Sequence, residues 1–398
     1  MIYLDYNATT PLDPRVLEAM LPCMQGTFGN ASSIHSAGQH ARAAVDRARE
    51  SVAALIGANP AEIVFTGGGT EANNLALLGL VSAVSAPPKK HVITTAIEHH
   101  AVLNACQELE RRGLDVTYVD ARSNGVVDAQ DVRRAITPHT ILISVIHANN
   151  EIGTIQPIEE IGRIAAEADI YCHCDAVQSA GKLRTDVNRL GVDLLSISAH
   201  KFYGPKGVGA LYVRPGTPLE PLFFGGHHER DRRPGTENVA GIVGIGKAAE
   251  LARTHLDEDT ARISALRDRV EAALLDSIPN AQVNGSRAQR VCNTTNITFT
   301  GAGGEALLIA LDLEGIACST GAACSSGSVE PSHVLTAIGL SDDEARSTLR
   351  FSLGRDTTAD EIEAAVKVIP RVVERLRSLS PRSQIAVNDA RARTVPAR

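Results

Sequence analysis

Leu194-Leu195-Ser196-Ile197-Ser198-Ala199-His200-Lys201-Phe202-Tyr203-Gly204-Pro205-Lys206-Gly207 decides how this chain is read. The first five residues form a short, largely aliphatic run of the kind that makes a buried strand. A lysine flanked by hydroxyl and imidazole groups follows at once, and then a glycine-rich turn. Such a lysine can form a Schiff base while its neighbours grip a phosphate. As a bare pattern, a solvated surface lysine is the commoner outcome, so the surroundings must decide.

Outward from this segment, similar runs recur at Ile63–Thr66, His91–Thr95, Val116–Val119, Ile141–Ile146, Ile170–Cys174 and Gly209–Val213. Amphipathic stretches at Thr70–Val84, Ala101–Arg112 and Ile158–Ala168 lie between them. The alternation predicts an α/β fold with a mostly parallel sheet covered on both faces. Such sheets bind ligands beyond the carboxyl ends of their strands. After Thr236 a helical region extends to about Ile278. Strand-like Asn296–Thr300 and Thr348–Leu353, with helix-like Glu305–Leu313 and Ala359–Leu379, then predict a smaller α+β unit. The expected division is an N-terminal segment 1–14 packing with the small domain, a large domain 15–255, a small domain 256–379 and a flexible tail 380–398.

The bulk composition agrees with an ordinary globular protein: 398 residues, 43% hydrophobic and 21% charged. With 39 basic against 46 acidic residues, the formal charge of -7 gives no electrostatic footprint for nucleic acid or an anionic membrane. The N-terminus lacks the basic and apolar regions of a signal peptide, and no apolar run is long enough to span a bilayer, so a cytoplasmic location is expected. Seven scattered cysteines argue against a disulfide framework.

The unusual residues fall after the strands. Gly67-Gly68-Gly69-Thr70-Glu71-Ala72-Asn73-Asn74 is a glycine turn opening into a helix, either a phosphate cradle or a plain capped turn. Asp175, in Ile170-Tyr-Cys-His-Cys-Asp175-Ala-Val-Gln178, can pair with a pyridinium nitrogen, though a plain helix cap has the same appearance. Glu98-His99-His100 offers a ring to stack on a cofactor. Gly241-Ile-Val-Gly-Ile-Gly246-Lys247-Ala248 resembles a P-loop but has alanine where magnesium needs Ser or Thr, and it sits in a helix-like run. Cys172-His173-Cys174 lacks a second spaced pair and is a weak zinc signal.

Together with Tyr3-Leu-Asp-Tyr-Asn-Ala-Thr-Thr-Pro11, Phe28-Gly-Asn-Ala-Ser-Ser-Ile-His35, Ala148-Asn-Asn-Glu-Ile-Gly153 and Arg232-Arg-Pro-Gly-Thr-Glu-Asn238, these segments resemble the cysteine desulfurases of the NifS/IscS kind, within the class V aminotransferases. The likeness covers nearly the whole chain. Cys318-Ser-Thr-Gly-Ala-Ala-Cys324-Ser-Ser-Gly-Ser-Val-Glu-Pro-Ser-His333 is similar to the long active-site loop of that branch.

The resemblance implies a pyridoxal 5'-phosphate enzyme of fold-type I, acting as a homodimer. It implies that Lys201 carries the cofactor, that His99 stacks on its ring and moves protons, and that Asp175 pairs with the ring nitrogen. Gln178 and Asn150 match residues near the cofactor's phenolic oxygen and the substrate. Gly69, Thr70, Ser198 and His200 match its phosphate site, with Thr236 reaching over from the partner subunit. Arg350 matches the residue that binds the substrate carboxylate, and Cys324 the residue that accepts sulfur from L-cysteine, leaving alanine. Small residues Gly321, Ala322, Ala323 and Gly327 would let Cys324 swing toward an external acceptor. That acceptor is left open among an iron–sulfur scaffold, a tRNA-thiolating protein and a nitrogenase-assembly partner.

Ala322, Pro234 and His228 depart from the residues usual at those places, and Cys318 reads as a buried structural thiol. A selenocysteine lyase would share the fold, the cofactor and most of the site residues, differing in substrate discrimination. A plain transaminase has no use for the Cys324 loop, and a metal-binding regulator would need more than the Cys-x-Cys pair and scattered histidines.

Overall fold

The computed structural model describes residues 1–84, 90–320 and 331–379. A short strand β1 (Ile2–Tyr3) precedes the main sheet, which is built from β2 (Ile63–Thr66), β3 (His91–Thr95), β4 (Asp115–Val119), β5 (Thr140–Ile146), β6 (Tyr171–Asp175), β7 (Leu194–Ser198) and β8 (Gly209–Val213). Their order is β2-β8-β7-β6-β5-β3-β4. β4, β3, β5, β6 and β7 pair in parallel, and β8 is antiparallel to both β7 and β2.

Continuous apolar strands are explained by the two faces. Ile63, Phe65, Ala210 and Tyr212 join one core cluster, while Val64, Leu211 and Val213 join the other. Alternate side chains point to opposite faces, so a strand covered on both sides must be apolar throughout. Helices Ser36–Ile56, Ile158–Glu167 and the first part of Val239–Ser277 supply the first cluster; Gly69–Val84 and His100–Arg111 supply the second.

The observed elements differ from the sequence reading in several ways, among them the strand expected at Asn296–Thr300, which is observed at Thr294–Phe299. The Ile170–Cys174 strand runs one residue further, so that Asp175 is its last residue. The 70–84 helix begins at Gly69 and contains a π-helical stretch at Leu75–Gly79. Helices Pro14–Gln25 and Ser36–Ile56 and the shortest strands were outside the reading; two- and three-residue strands carry no periodicity to detect.

The C-terminal region holds β9 (Ala281–Val283), β10 (Thr294–Phe299), β11 (Ile316–Ala317) and β12 (Thr348–Ser352). An antiparallel sheet runs β12-β10-β9, and β1 pairs in parallel with β11. The helix Val239–Ser277 is unbroken: Ala252 packs in the main core and Ile263 in a separate one with Phe299, Phe351 and Leu4. Val334, Leu335 and Ile338 return to the main core. Among the described residues no helix is long and apolar enough to cross a membrane.

One buried ion pair fastens the edge strand. The Arg49 guanidinium donates to both carboxylate oxygens of Glu229 at 2.7 and 2.8 Å and to the Ile63 carbonyl at 2.7 Å, while the Phe65 N–H donates to Glu229 at 2.9 Å. Glu229, Arg230 and Asp231 all have positive φ, at 45°, 58° and 65°. Non-glycine residues there cost about 1–2 kcal/mol each, so the segment needs such an anchor. Removing one partner of a buried pair strands the other charge. Arg49→Met should therefore lower stability by about 3–5 kcal/mol, read as a fall in the urea midpoint. A change under about 1 kcal/mol would show that the pair does not fasten β2.

Candidate active site

The carboxyl ends of β3, β6 and β7 meet the N-terminal segment around a cavity of about 380 Å³. It is lined by Gly69, Thr70, His99, Asn150, Asp175, Gln178, Ser198, His200, Lys201 and Arg350, the expected site residues of the described chain apart from Thr236. Asn7, Ala8 and Asn73 line it as well. Thr236 is exposed and is not among the lining residues. Cys324 lies outside the described residues, as do Gly321, Ala322, Ala323, Gly327 and the tail 380–398.

Lys201 follows β7 in a single 3-10 turn, and its ammonium donates to the carbonyls of Asn7 at 2.6 Å and Ala8 at 2.8 Å. Asp175 ends β6. Its two oxygens accept from Asn73 Nδ2 at 2.7 Å and the Val177 N–H at 2.9 Å. Burial raises the Asp175 pKa, against the lowering influence of that backbone N–H, His99, Asn73 and Lys201.

Gly68 has φ of 151°, a conformation open to glycine, and its turn starts the helical run that continues to Val84. A Cβ on Gly69 would lie 2.7 Å from Val177 Cγ2. Glycine thus lets this helix start close beside Asp175, with first-turn amides that have no intrahelical acceptor.

His99 caps the helix His100–Arg111 by accepting from the Ala101 N–H at Nδ1, 3.0 Å away. In its neutral form the ring proton therefore sits on Nε2. Burial lowers its pKa, with Lys201, His100 and His333 adding to the effect and Asp175 opposing it. His200 is pushed down to about 4 by burial and then by Lys201, and its Nδ1 lies 3.1 Å from Thr9 Oγ1.

Arg350 on β12 donates to the Asn150 carbonyl at 2.9 Å and to Asp5 at 2.6 Å. Its Nε is buried without a hydrogen-bond partner among the described residues, and so is Asn150 Oδ1. Arg350 lines the cavity, and a guanidinium there suits a carboxylate ligand.

These residues fit a ligand with an anionic group at the helix start, a cationic ring nitrogen at Asp175 and a carbonyl carbon within reach of Lys201. Residues 2–365 match the family described as aminotransferase class-V. The chain belongs to that family. Its cofactor is pyridoxal 5'-phosphate, and the fold is fold-type I.

The protein named cysteine desulfurase IscS from Dictyoglomus turgidum is 51% identical over 383 residues, covering 96% of this chain and 97% of that one. The protein of the same name from Methanosarcina thermophila is 50% identical, covering 96% and 94%. A solved NifS-like protein aligns with TM-score 0.89 at 37% identity, over 94% of this chain and all of the other. A structure titled SspA in complex with cysteine gives TM-score 0.79 at 42% identity, over 90% of this chain and all of that one.

The sequence reading missed Asn7, whose carbonyl meets Lys201, and Asn73, which holds Asp175. Both stood inside quoted motifs, but nothing in those motifs shows what an asparagine touches. Cys172, Cys174 and His173 are buried, and His173 lies between Ser144 Oγ at 2.8 Å and Ser196 Oγ at 3.0 Å. Cys318 is buried too, and burial pushes its thiol up to about 12.

Glu98 lies beneath the site. Its Oε1 accepts from Thr95 Oγ1 at 2.6 Å and the Ile146 N–H at 2.9 Å, while Oε2 is buried with no partner among the described residues. Burial raises its pKa from 4.5 to about 8. A carboxyl that ionises more readily unfolded than folded weakens the fold increasingly as pH climbs from 4.5 to about 8. Glu98→Gln removes that ionisation. The variant should therefore gain stability relative to the parent across this window in thermal unfolding, and a flat difference would refute a protonated Glu98.

Proposed function

We propose that this chain is a cysteine desulfurase that takes sulfur from L-cysteine onto Cys324 and releases L-alanine. The observation that carries the reading is one cavity lined by a strand-end lysine, a buried aspartate and an arginine. The relatives' names accord with it. Pyridoxal phosphate supplies electron withdrawal from the substrate α-carbon when bound.

In this reading Lys201 carries the cofactor and Asp175 faces its ring nitrogen. Gly69, Thr70, Ser198 and His200 hold its phosphate. Gln178 and Asn150 face the phenolic oxygen and the substrate, and Arg350 receives the substrate carboxylate. His99 would hold a proton on Nε2 beside the bound cofactor. Cys324 acts as a thiolate: a sulfur–sulfur bond forms at its Sγ as the substrate carbon–sulfur bond breaks, its electron pair passing to carbon, and alanine leaves after protonation. The persulfide then passes to a sulfur acceptor such as an iron–sulfur scaffold, in the cytoplasm. Residues 15–255 form the cofactor domain and 256–379 the smaller one, with 1–14 packed against the latter.

The segment bearing Cys324 leaves and re-enters the described structure at the site. Ser319 pairs with Arg350 through backbone bonds of 2.6 and 3.2 Å, and Ser332 Oγ donates to Glu151 at 2.5 Å. Those anchors support a role for Cys324 beside Arg350. Cys324→Ala should keep the visible absorption of the bound cofactor yet lose sulfide release from L-cysteine under reducing conditions by at least roughly 100-fold. A variant as fast as the parent would remove Cys324 from the reaction.

The working form in this reading is a homodimer in which Thr236 completes the partner's phosphate site. Its support is the exposure of Thr236 away from its own cavity, together with large apolar side chains in solvent at Phe28, Ile34 and Phe224. Sedimentation velocity should give a two-chain particle. A fully active monomer would overturn this assembly.

A further inference from the structure

Lys182 stands four residues after Gln178 and just beyond β6, outside every role assigned above. Its ammonium donates to Gln178 Oε1 at 2.7 Å and to Asn7 Oδ1 at 3.3 Å. An ammonium has no acceptor, so the carbonyl edge of the Gln178 amide must face it. The amide's other edge is thereby fixed, and Gln178 Nε2 donates to the Asn7 carbonyl at 2.8 Å. That same carbonyl accepts from Lys201 at 2.6 Å. Two lysines thus converge on one asparagine, one through its side chain and one through its backbone.

We infer that Lys182 is a positioning residue for the cofactor site: it holds the Gln178 amide with its N–H edge on the Lys201 side, and it places a second cation beside Lys201. The inference rests on the cofactor reading of Lys201 and is independent of the sulfur chemistry. Nearby positive charge disfavours the protonated state of a nitrogen. Burial lowers the Lys182 pKa most, Cys292 opposes that fall, and Lys201 and then Arg350 add to it, so the two lysines repel each other. The charged and titratable groups facing Lys182 are Lys201, Arg350 and Cys292. Tyr6, Tyr203, Asp259 and Arg355 line the small cavity it shares with Cys292. Asp259 is paired with Arg355 at 2.8 Å, so Lys182 keeps its neutral carbonyl partners and its effect on Lys201.

The consequence is read in the cofactor's own absorption, with no substrate present. In the holoprotein, the visible spectrum follows the protonation of the nitrogen that Lys201 contributes. Lys182→Met should move the midpoint of this pH-dependent change upward by about one unit, a tenfold change in the proton equilibrium. Lys182→Gln keeps a donor for Gln178 but loses the charge, and it should shift the same way. Lys182→Arg keeps charge and donors and should fall closer to the parent than either neutral variant. Parental midpoints in the Met and Gln variants, or an Arg variant displaced as far as they are, would overturn the inference. Should the Met variant fail to fold, the Gln and Arg pair decides. Failure of the desulfurase reading would leave these spectra unchanged, whereas a protein that binds no cofactor would show no such transition.

Discussion

The site depends on Asn7. Its backbone carbonyl takes hydrogen bonds from Lys201 and Gln178, its side-chain oxygen from Lys182 and Asn293, and its Nδ2 reaches the Asn150 carbonyl and Thr294. Its own N–H goes to Ser352 on β12. One residue of the N-terminal segment therefore joins the carboxyl ends of β6 and β7 to the small sheet. A buried polar group must find partners or cost roughly 1–3 kcal/mol, so this network has one arrangement that satisfies it. The N-terminal segment is held for the same reason, with β1 on β11 at one end and Thr10 on the His200 carbonyl at the other.

Around this junction the cavity is a place where charge is expensive. Burial dominates the shifts at Asp175, His99, His200 and Lys182, and each is pushed toward its neutral form. A ligand that brings its own charges relieves those costs, because Asp175 suits a cation and Arg350 an anion. Preorganised partners of this kind cost no rearrangement when the ligand arrives.

Residues on either side of the segment 321–330 are tied to the cavity wall or to its neighbours. Arg350 contacts Asp5 and Asn150 through its guanidinium, and through its backbone it pairs with Ser319. On the far side Ser332 is tied to Glu151, and His333 donates to the Glu98 carbonyl at 2.9 Å, next to His99. Both ends of the cysteine-bearing segment are thus fixed to residues of the cavity wall or their immediate neighbours.

Lys201, Asp175 and His99 were legible in the sequence because each sits at or just after a strand-like apolar run, and parallel strands bring such ends to one side. The apolar runs themselves follow from burial on both faces, which is why β2, β3, β5, β7 and β8 were found close to their observed limits. Asn7, Asn73 and Lys182 were not legible in their roles: Asn7 meets its partners across 143–345 residues, and Asn73 meets Asp175 across 102. A lone asparagine or lysine in a polar stretch has the same local pattern whether it faces water or a buried carbonyl. The sequence by itself determined the sheet and its polar strand ends, because periodicity and strand-end chemistry are local, and the resemblance it carries named the residues that line the cavity there. Only the tertiary structure decided which groups hold those residues in place, because long-range hydrogen bonds and desolvation exist only once distant segments share one buried site.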